Sequence, residues 1–157
     1  VLGQGARVDL DEESGIDRGG CANVLKGATP TGGGHVGTAR KVWKRKSDGA
    51  LVGGCGTVSV LQKWAQWFLD GERGNSPGLG TDEDSSSQML VVRPNGKVEA
   101  HDRYGRAMYE APYYALGSGC DYAMGAMAFG ASARQAVAAA TKHDHGTGYG
   151  IQYVTLD

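Results

Sequence analysis

Apolar and polar positions divide the chain unevenly. Over residues 1–34 there is little alternation, and only Cys21 to Leu25 offers a short apolar patch. Gly3-Gln4-Gly5, the acids Asp9, Asp11, Glu12 and Glu13, and the run Gly32-Gly33-Gly34 give this stretch the composition of an arm or a loop-rich segment. The expected division is a glycine-rich acidic arm over 1–28 and one folded domain over 29–157.

From Ala39 the periodicities of regular structure set in. Lys41-Val42-Trp43-Lys44-Arg45 alternates as a strand, Ser47-Asp48-Gly49 reads as a turn, and Ala50-Leu51-Val52-Gly53 as a second strand, which together make a hairpin. Gly54-Cys55-Gly56-Thr57 then leads into a helix. There Val60, Leu61, Trp64, Trp67 and Phe68 fall at spacings of three and four, a core-facing stripe, with Thr57 or Ser59 as N-cap. A polar loop from Gly71 to Ser87 holds Pro77 and the acids Asp82, Glu83 and Asp84. Gln88 to Val92 reads as a buried strand, turned by Asn95-Gly96 into Val98-Glu99-Ala100-His101. Tyr113 to Leu116 predicts another strand, Asp121–Phe129 and Ser132–His143 two helices broken at Gly130, and Gly150 to Leu156 a closing strand. Strand pairs, central helices and a final strand fit an α+β arrangement of two sheets packed between helix layers.

Composition narrows the classes of partner. A length of 157 residues suits one domain that buries roughly two-thirds of its unfolded surface. A net charge of −1 gives no electrostatic reason to expect nucleic acid or an anionic membrane. The basic run Arg40, Lys44, Arg45, Lys46 reads as one solvated strand face. No run approaches ~18 apolar residues, and no basic-then-apolar opening suggests a signal peptide. Cys21, Cys55 and Cys120 are odd in number and widely spaced, which implies neither a disulfide framework nor a zinc pattern. The expected location is a reducing cytoplasm, or an assembly such as a virion built there. The 27 glycines are scattered and point to many tight turns.

Three further segments carry candidate chemistry. Gly32-Gly33-Gly34-His35-Val36-Gly37 matches G-x-G-x-x-G literally, but Pro30 and Thr31 precede it where a strand belongs, so it does not read as a dinucleotide site. His143-Asp144-His145 ends a helix and continues into glycines, the setting of a solvated helix C-terminus rather than a metal site. The most informative stretch is Leu116-Gly117-Ser118-Gly119-Cys120-Asp121, in which a strand turns at once into a helix. Glycines on both sides of Ser118 allow a sharp bend and leave its hydroxyl uncrowded.

That bend, the helix with Ala131-Ser132-Ala133-Arg134, then Asp144-His145-Gly146-Thr147-Gly148 and a last strand, closely resemble the C-terminal half of the proteasome β-subunit and HslV family of N-terminal nucleophile hydrolases. The resemblance runs from about Thr29 to Leu156 and implies a four-layer αββα sandwich. It further implies peptide-bond hydrolysis by an N-terminal threonine, serine or cysteine whose own α-amine, of pKa ~8, takes the hydroxyl or thiol proton. A nearby lysine lowers that pKa further, and a backbone N–H stabilises the oxyanion. Carried over by position, Lys41 in Gly37-Thr38-Ala39-Arg40-Lys41-Val42 resembles the catalytic lysine, after the turn Thr29-Pro30-Thr31-Gly32-Gly33. Gly54 resembles the glycine of the oxyanion hole, Ser118 the serine of the Gly-Ser-Gly turn, and Asp144 with Thr147 the Asp-x-x-Ser-Gly pair that orients the nucleophile's amine. No cofactor or metal is implied. Self-association into a ring or larger homo-oligomer is, with an unfoldase ATPase as partner by analogy.

The chain departs from the family at its beginning. Val1 is no nucleophile, Asp9 stands near the nucleophile's expected distance before Lys41, and Leu25 stands where the family places an aspartate. The alternating opening strand is not recognisable. Cleavage after Gly20 would expose Cys21 but leave too few residues for two opening strands before Lys41. Two functions follow: a peptidase subunit, or a catalytically silent relative that keeps the fold for a ring, shell or virion assembly.

Overall fold

The computed structural model describes residues 2–3, 21–25, 39–80, 87–145, 147 and 151–156. The glycine run 32–37, the turn 29–33, Val1, Asp9 and the acids Asp82, Glu83 and Asp84 lie outside the described residues. In chain order the described elements are β1 (Leu2–Gly3), β2 (Cys21–Leu25), β3 (Val42–Lys44), β4 (Leu51–Cys55), α1 (Val58–Leu69), β5 (Gln88–Val92), β6 (Val98–Asp102), β7 (Gly105–Tyr109), α2 (Cys120–Ala128), α3 (Ala133–His143) and β8 (Ile151–Thr155).

The strands form two antiparallel sheets. One has the order β3-β4-β5-β6-β7, so every neighbouring strand in space is the next strand in sequence; turns join these strands except between β4 and β5, where α1 and the loop after it intervene. The other has the order β1-β2-β8, with Leu2 opposite Val24 and Val24 opposite Gln152. Two strands of this second sheet thus come from the segment expected as an arm. The backbone groups of Cys21–Leu25, its one apolar patch, pair with those of Ile151–Thr155, a gain that composition alone does not reveal.

Three apolar layers hold these elements in the order helix, sheet, sheet, helices. The outer face of the five-stranded sheet supplies Trp43, Ala50, Val52, Met89 and Val91, against which α1 buries Leu61, Trp64, Ala65 and Phe68. Val42, Leu51, Leu90, Val92, Val98 and Leu116 fill the space between the sheets, with Val154 and Leu156 beside them. Under the remaining helices lie Ala123, Met127, Ala136, Val137 and Ala140, packed with Ile151 of β8. Met89 to Val92 is apolar without alternation because β5 is covered on both faces. Burying a residue such as Phe68 contributes roughly 1.5–3 kcal/mol. The expected α1 stripe is present, with Val60 and Trp67 at its half-buried margins.

Helix limits follow local chemistry. Ser132 caps α3 through a capping box: its Oγ accepts the Gln135 N–H at 3.3 Å, and Gln135 Oε1 accepts the Ser132 N–H at 2.9 Å. Thr57 is the N-cap of α1 but makes no side-chain cap; its N–H donates to Ser87 Oγ at 3.1 Å. Gly130, at φ +87, separates α2 from α3.

Two expectations are corrected. Tyr113–Leu116 is not a strand. The edge next to β6 is occupied by β7, formed by a tight turn in which Asp102 Oδ1 accepts the N–H groups of Tyr104 (2.8 Å) and Gly105 (3.1 Å). The segment after Pro112 instead tucks Tyr114 and Leu116 between the sheets. Nor is Arg45 solvated. Its side chain is only 8% exposed, forked onto Asp48 (2.9 and 2.7 Å) and bonded to Glu72 (3.1 Å), with the guanidinium 4.3 Å from the Phe68 ring centre. Arg93 extends the network with forks to Glu72 (2.8 and 2.7 Å) and Glu99 (2.8 and 2.9 Å). The Arg45 fork holds the Asp48 carboxyl down at about 2.

Candidate active site

The Gly-Ser-Gly bend places Ser118 at the start of α2. Gly117 takes φ +97, a conformation open to a residue without Cβ, and its carbonyl accepts the Cys120 N–H at 3.0 Å. Gly119 is the helix N-cap, so the Ser118 hydroxyl has no capping duty. It donates instead to Asp144 Oδ2 at 2.7 Å. Asp144 ends α3: its N–H donates to the Ala140 carbonyl at 2.8 Å, and its own carbonyl accepts the Thr147 N–H at 3.1 Å. The hydroxyl of the buried Thr147 bonds the same Asp144 Oδ2. Three of the residues expected to act together are therefore joined around one carboxylate.

Lys41 and Gly54 form a second pair. The Gly54 N–H donates to the Lys41 carbonyl at 3.1 Å, where β4 passes the start of β3. The N–H expected at an oxyanion hole is thus bonded within the sheet in this arrangement. Gly54 has a steric reason to be glycine instead: a Cβ there would press on Met89 and lie 2.7 Å from the Gln88 carbonyl and 2.8 Å from Leu61 Cδ2.

Two thiols adjoin these groups in sequence. Cys55 follows Gly54, and Cys120 stands two residues after Ser118. Burial pushes the Cys55 thiol up, the Lys41 ammonium opposes that shift and Cys120 adds to it, so all three share one electrostatic neighbourhood. Burial and the adjacent Asp121 carboxylate raise Cys120. Both are thus held protonated near neutral pH, the reverse of an activated thiolate. The other candidate cluster is dispersed: His143 is exposed and stacks on Tyr122 at 5.5 Å between ring centres, away from the Asp144 carboxylate's bonds to Ser118 and Thr147.

Gln152 went unnoticed in the sequence. Its Oε1 accepts the Lys41 N–H at 3.3 Å, across 111 residues. The signal was a polar residue on the face of β8 where Val154 and Leu156 are apolar. A concavity of about 560 Å³ lies elsewhere, lined by Trp67, Leu79, His101 and Arg106 on the α1 side. None of Lys41, Gly54, Ser118, Asp144 and Thr147 lines that groove. No helix among the described residues is long and apolar enough to cross a membrane.

No protein-family model matches the chain, and no curated protein does. Solved structures do resemble it in fold. BPH from Thiobacillus denitrificans, solved in complex with Epoxomicin, is 18% identical with a TM-score of 0.67, over 100% of this chain and 98% of that one. Eukaryotic HslV from Trypanosoma brucei is 17% identical with a TM-score of 0.66, over 99% and 98%. Anbu from Pseudomonas aeruginosa, described as a helical assembly, is 12% identical with a TM-score of 0.65, over 98% and 80%. At these identities the likeness is one of fold: the chain has an α+β fold of the N-terminal nucleophile hydrolase type.

Proposed function

We propose that the chain is a self-associating, HslV-like peptidase subunit, in which Ser118, Asp144 and Thr147 receive a terminal α-amine and Lys41 supplies the neighbouring positive charge. The observation that carries this reading is the shared Asp144 carboxylate, held by two hydroxyls on a fold common to HslV and BPH. With the Ser118 proton directed at Asp144, the serine oxygen keeps lone pairs to accept an N–H from an amine. An amine so held is positioned to take the proton of its own hydroxyl or thiol as that atom attacks a peptide carbonyl. The nucleophile itself must be a terminal Thr, Ser or Cys, which none of the described site residues supplies.

N-terminal sequencing and intact mass of the native protein, with a fluorogenic peptide and an inhibitor that reacts with N-terminal threonine, test the reading. A mature Thr, Ser or Cys terminus with turnover supports it; an intact native sample with neither turnover nor adduct ends it. The Gly54 N–H bound within the sheet favours a second reading, a silent subunit that keeps the fold for homo-oligomeric assembly. Under that reading the intact native chain self-associates, as read by light scattering, while showing neither turnover nor adduct.

A further inference from the structure

We infer that Gln152 is a positioning residue for Lys41, holding the lysine-bearing strand against the sheet that carries β8. The inference rests on the reading of Lys41 as the cation of the cleft. β3 and β8 belong to different sheets, so no strand ladder joins them. Gln152 Oε1 bridges the gap by accepting the Lys41 N–H at 3.3 Å. A second tie lies at the other end of the same strand, where Lys44 Nζ donates to the Thr155 carbonyl at 2.9 Å.

The position of the glutamine is itself informative. Side chains along β8 alternate, and Ile151 packs under α3 whereas Val154 and Leu156 lie between the sheets. Gln152 shares the face of Val154, which fills an apolar layer. A polar side chain there costs desolvation unless it is bonded, and the bond it makes is to the backbone of Lys41. Lys41 is thereby gripped from both sides, its N–H by Gln152 and its carbonyl by the Gly54 N–H at 3.1 Å. With both backbone groups fixed, the direction in which the ammonium leaves the strand is set by the sheet-to-sheet junction. Small displacements of a charged group cost much in such a site, on the order of 10²-fold in rate for 1 Å.

The test uses Gln152→Leu and Gln152→Glu in the whole chain. Leucine removes the acceptor at similar volume, while glutamate keeps an oxygen in place. Amide hydrogen exchange at Lys41 reads the tie directly. It is expected to speed up by about tenfold in Gln152→Leu, as for the loss of one modest hydrogen bond, and to return in Gln152→Glu. Peptide turnover is expected to follow, with kcat falling about tenfold and KM unchanged in the leucine variant and kcat restored in the glutamate one. Unchanged Lys41 exchange in a folded Gln152→Leu protein overturns the inference. So does accelerated exchange that Gln152→Glu fails to restore, since the acceptor oxygen would then not be what matters. The exchange result stands whether or not the chain turns over peptide, and Lys41→Ala with unaltered turnover instead removes Lys41 from the mechanism.

Discussion

The hydroxyl of Ser118 donates to Asp144 Oδ2 at 2.7 Å, joining the residue before the N-cap of one helix to the C-cap of the next. α2 and α3 pack as a pair through Ala123, Met127, Ala136, Val137 and Ala140, all of them small or flexible. That pairing brings the start of α2 beside the end of α3. An acid at a helix C-terminus runs against the helix dipole, so Asp144 is held there by its partners rather than by the helix. The same carboxylate collects Thr147, whose side chain is buried and has no solvent to turn to.

Asp144→Ala is therefore expected to cost more than Ser118→Ala. Removing the carboxylate leaves the buried Thr147 hydroxyl without its acceptor, about 1–3 kcal/mol. Removing the exposed Ser118 hydroxyl gives up one bond, about 1 kcal/mol or less. Urea midpoints of the two variants give the order. If the chain is a peptidase, both also lower kcat, by about 10²-fold each, and a Ser118→Ala protein with full turnover removes Ser118 from the mechanism.

Gly56 and Gly96 offer a matched pair of substitutions. Gly56 sits at φ +116, and an added Cβ would lie 2.6 Å from Ser87 Oγ and 2.7 Å from Ser87 Cα. Gly96 has φ +81 with nothing within 4 Å of the same atom. Gly96→Ala should cost about 1 kcal/mol of backbone strain, and Gly56→Ala about 3 kcal/mol, strain and collision together. Equal losses by thermal or urea unfolding would show that the close approach of Ser87 is not maintained in solution.

Arg93 is the centre of the buried charge network, with Glu72 on one side and Glu99, 7% exposed, on the other. Arg93→Ala takes the forked partner from both carboxylates, leaving Glu72 to Arg45 and Glu99 beside His101, and is expected to destabilise by about 3 kcal/mol. Arg93→Met combined with Glu99→Leu and Glu72→Gln removes the charges together and should recover most of the loss. A double-mutant cycle on urea unfolding measures the coupling.

The sequence made legible whatever depends on spacing. The α1 stripe, the β5–β6 hairpin at Asn95-Gly96 and the α2–α3 break at Gly130 each rest on a period or a turn residue, and each is where expected. Ser118, Asp144 and Thr147 came from likeness to a family, and their side chains meet. β7 was missed because its residues are exposed throughout and carry no apolar alternation, only a turn acid before them. Arg45 was misread because a basic residue in a charged run looks solvated until Asp48, from its own turn, and Glu72, from beyond α1, close on it. Gly54 shows the limit of analogy: the residue type fits, but its N–H faces Lys41.

Acid should weaken the fold, and in stages. Burial lowers His101 from its ordinary 6.5, although Glu99 lies 3.3 Å from its Nε2 and opposes that shift. Hydrogen bonds from Arg93 lower both Glu72 and Glu99 from 4.5, and those from Arg45 lower Asp48 from 3.8 to about 2. Each group binds its proton less readily folded than unfolded, so the unfolded chain takes up more protons as pH falls and gains on the folded one. These contributions are complete above pH 6.5 and constant there. Below it His101 begins a shallow decline. Below 4.5 the two glutamates steepen it, and Asp48 adds its share down to about 2. Because the Asp48 side chain is 38% exposed, solvent screening leaves that share at about 1 kcal/mol. Urea unfolding of the whole chain at a neutral, a mildly acidic and a strongly acidic pH should trace this two-stage fall. His101→Phe should flatten the upper stage and Glu72→Gln part of the lower one, while stability that holds or rises on acidification would mean that the Arg45–Arg93 network does not persist in solution.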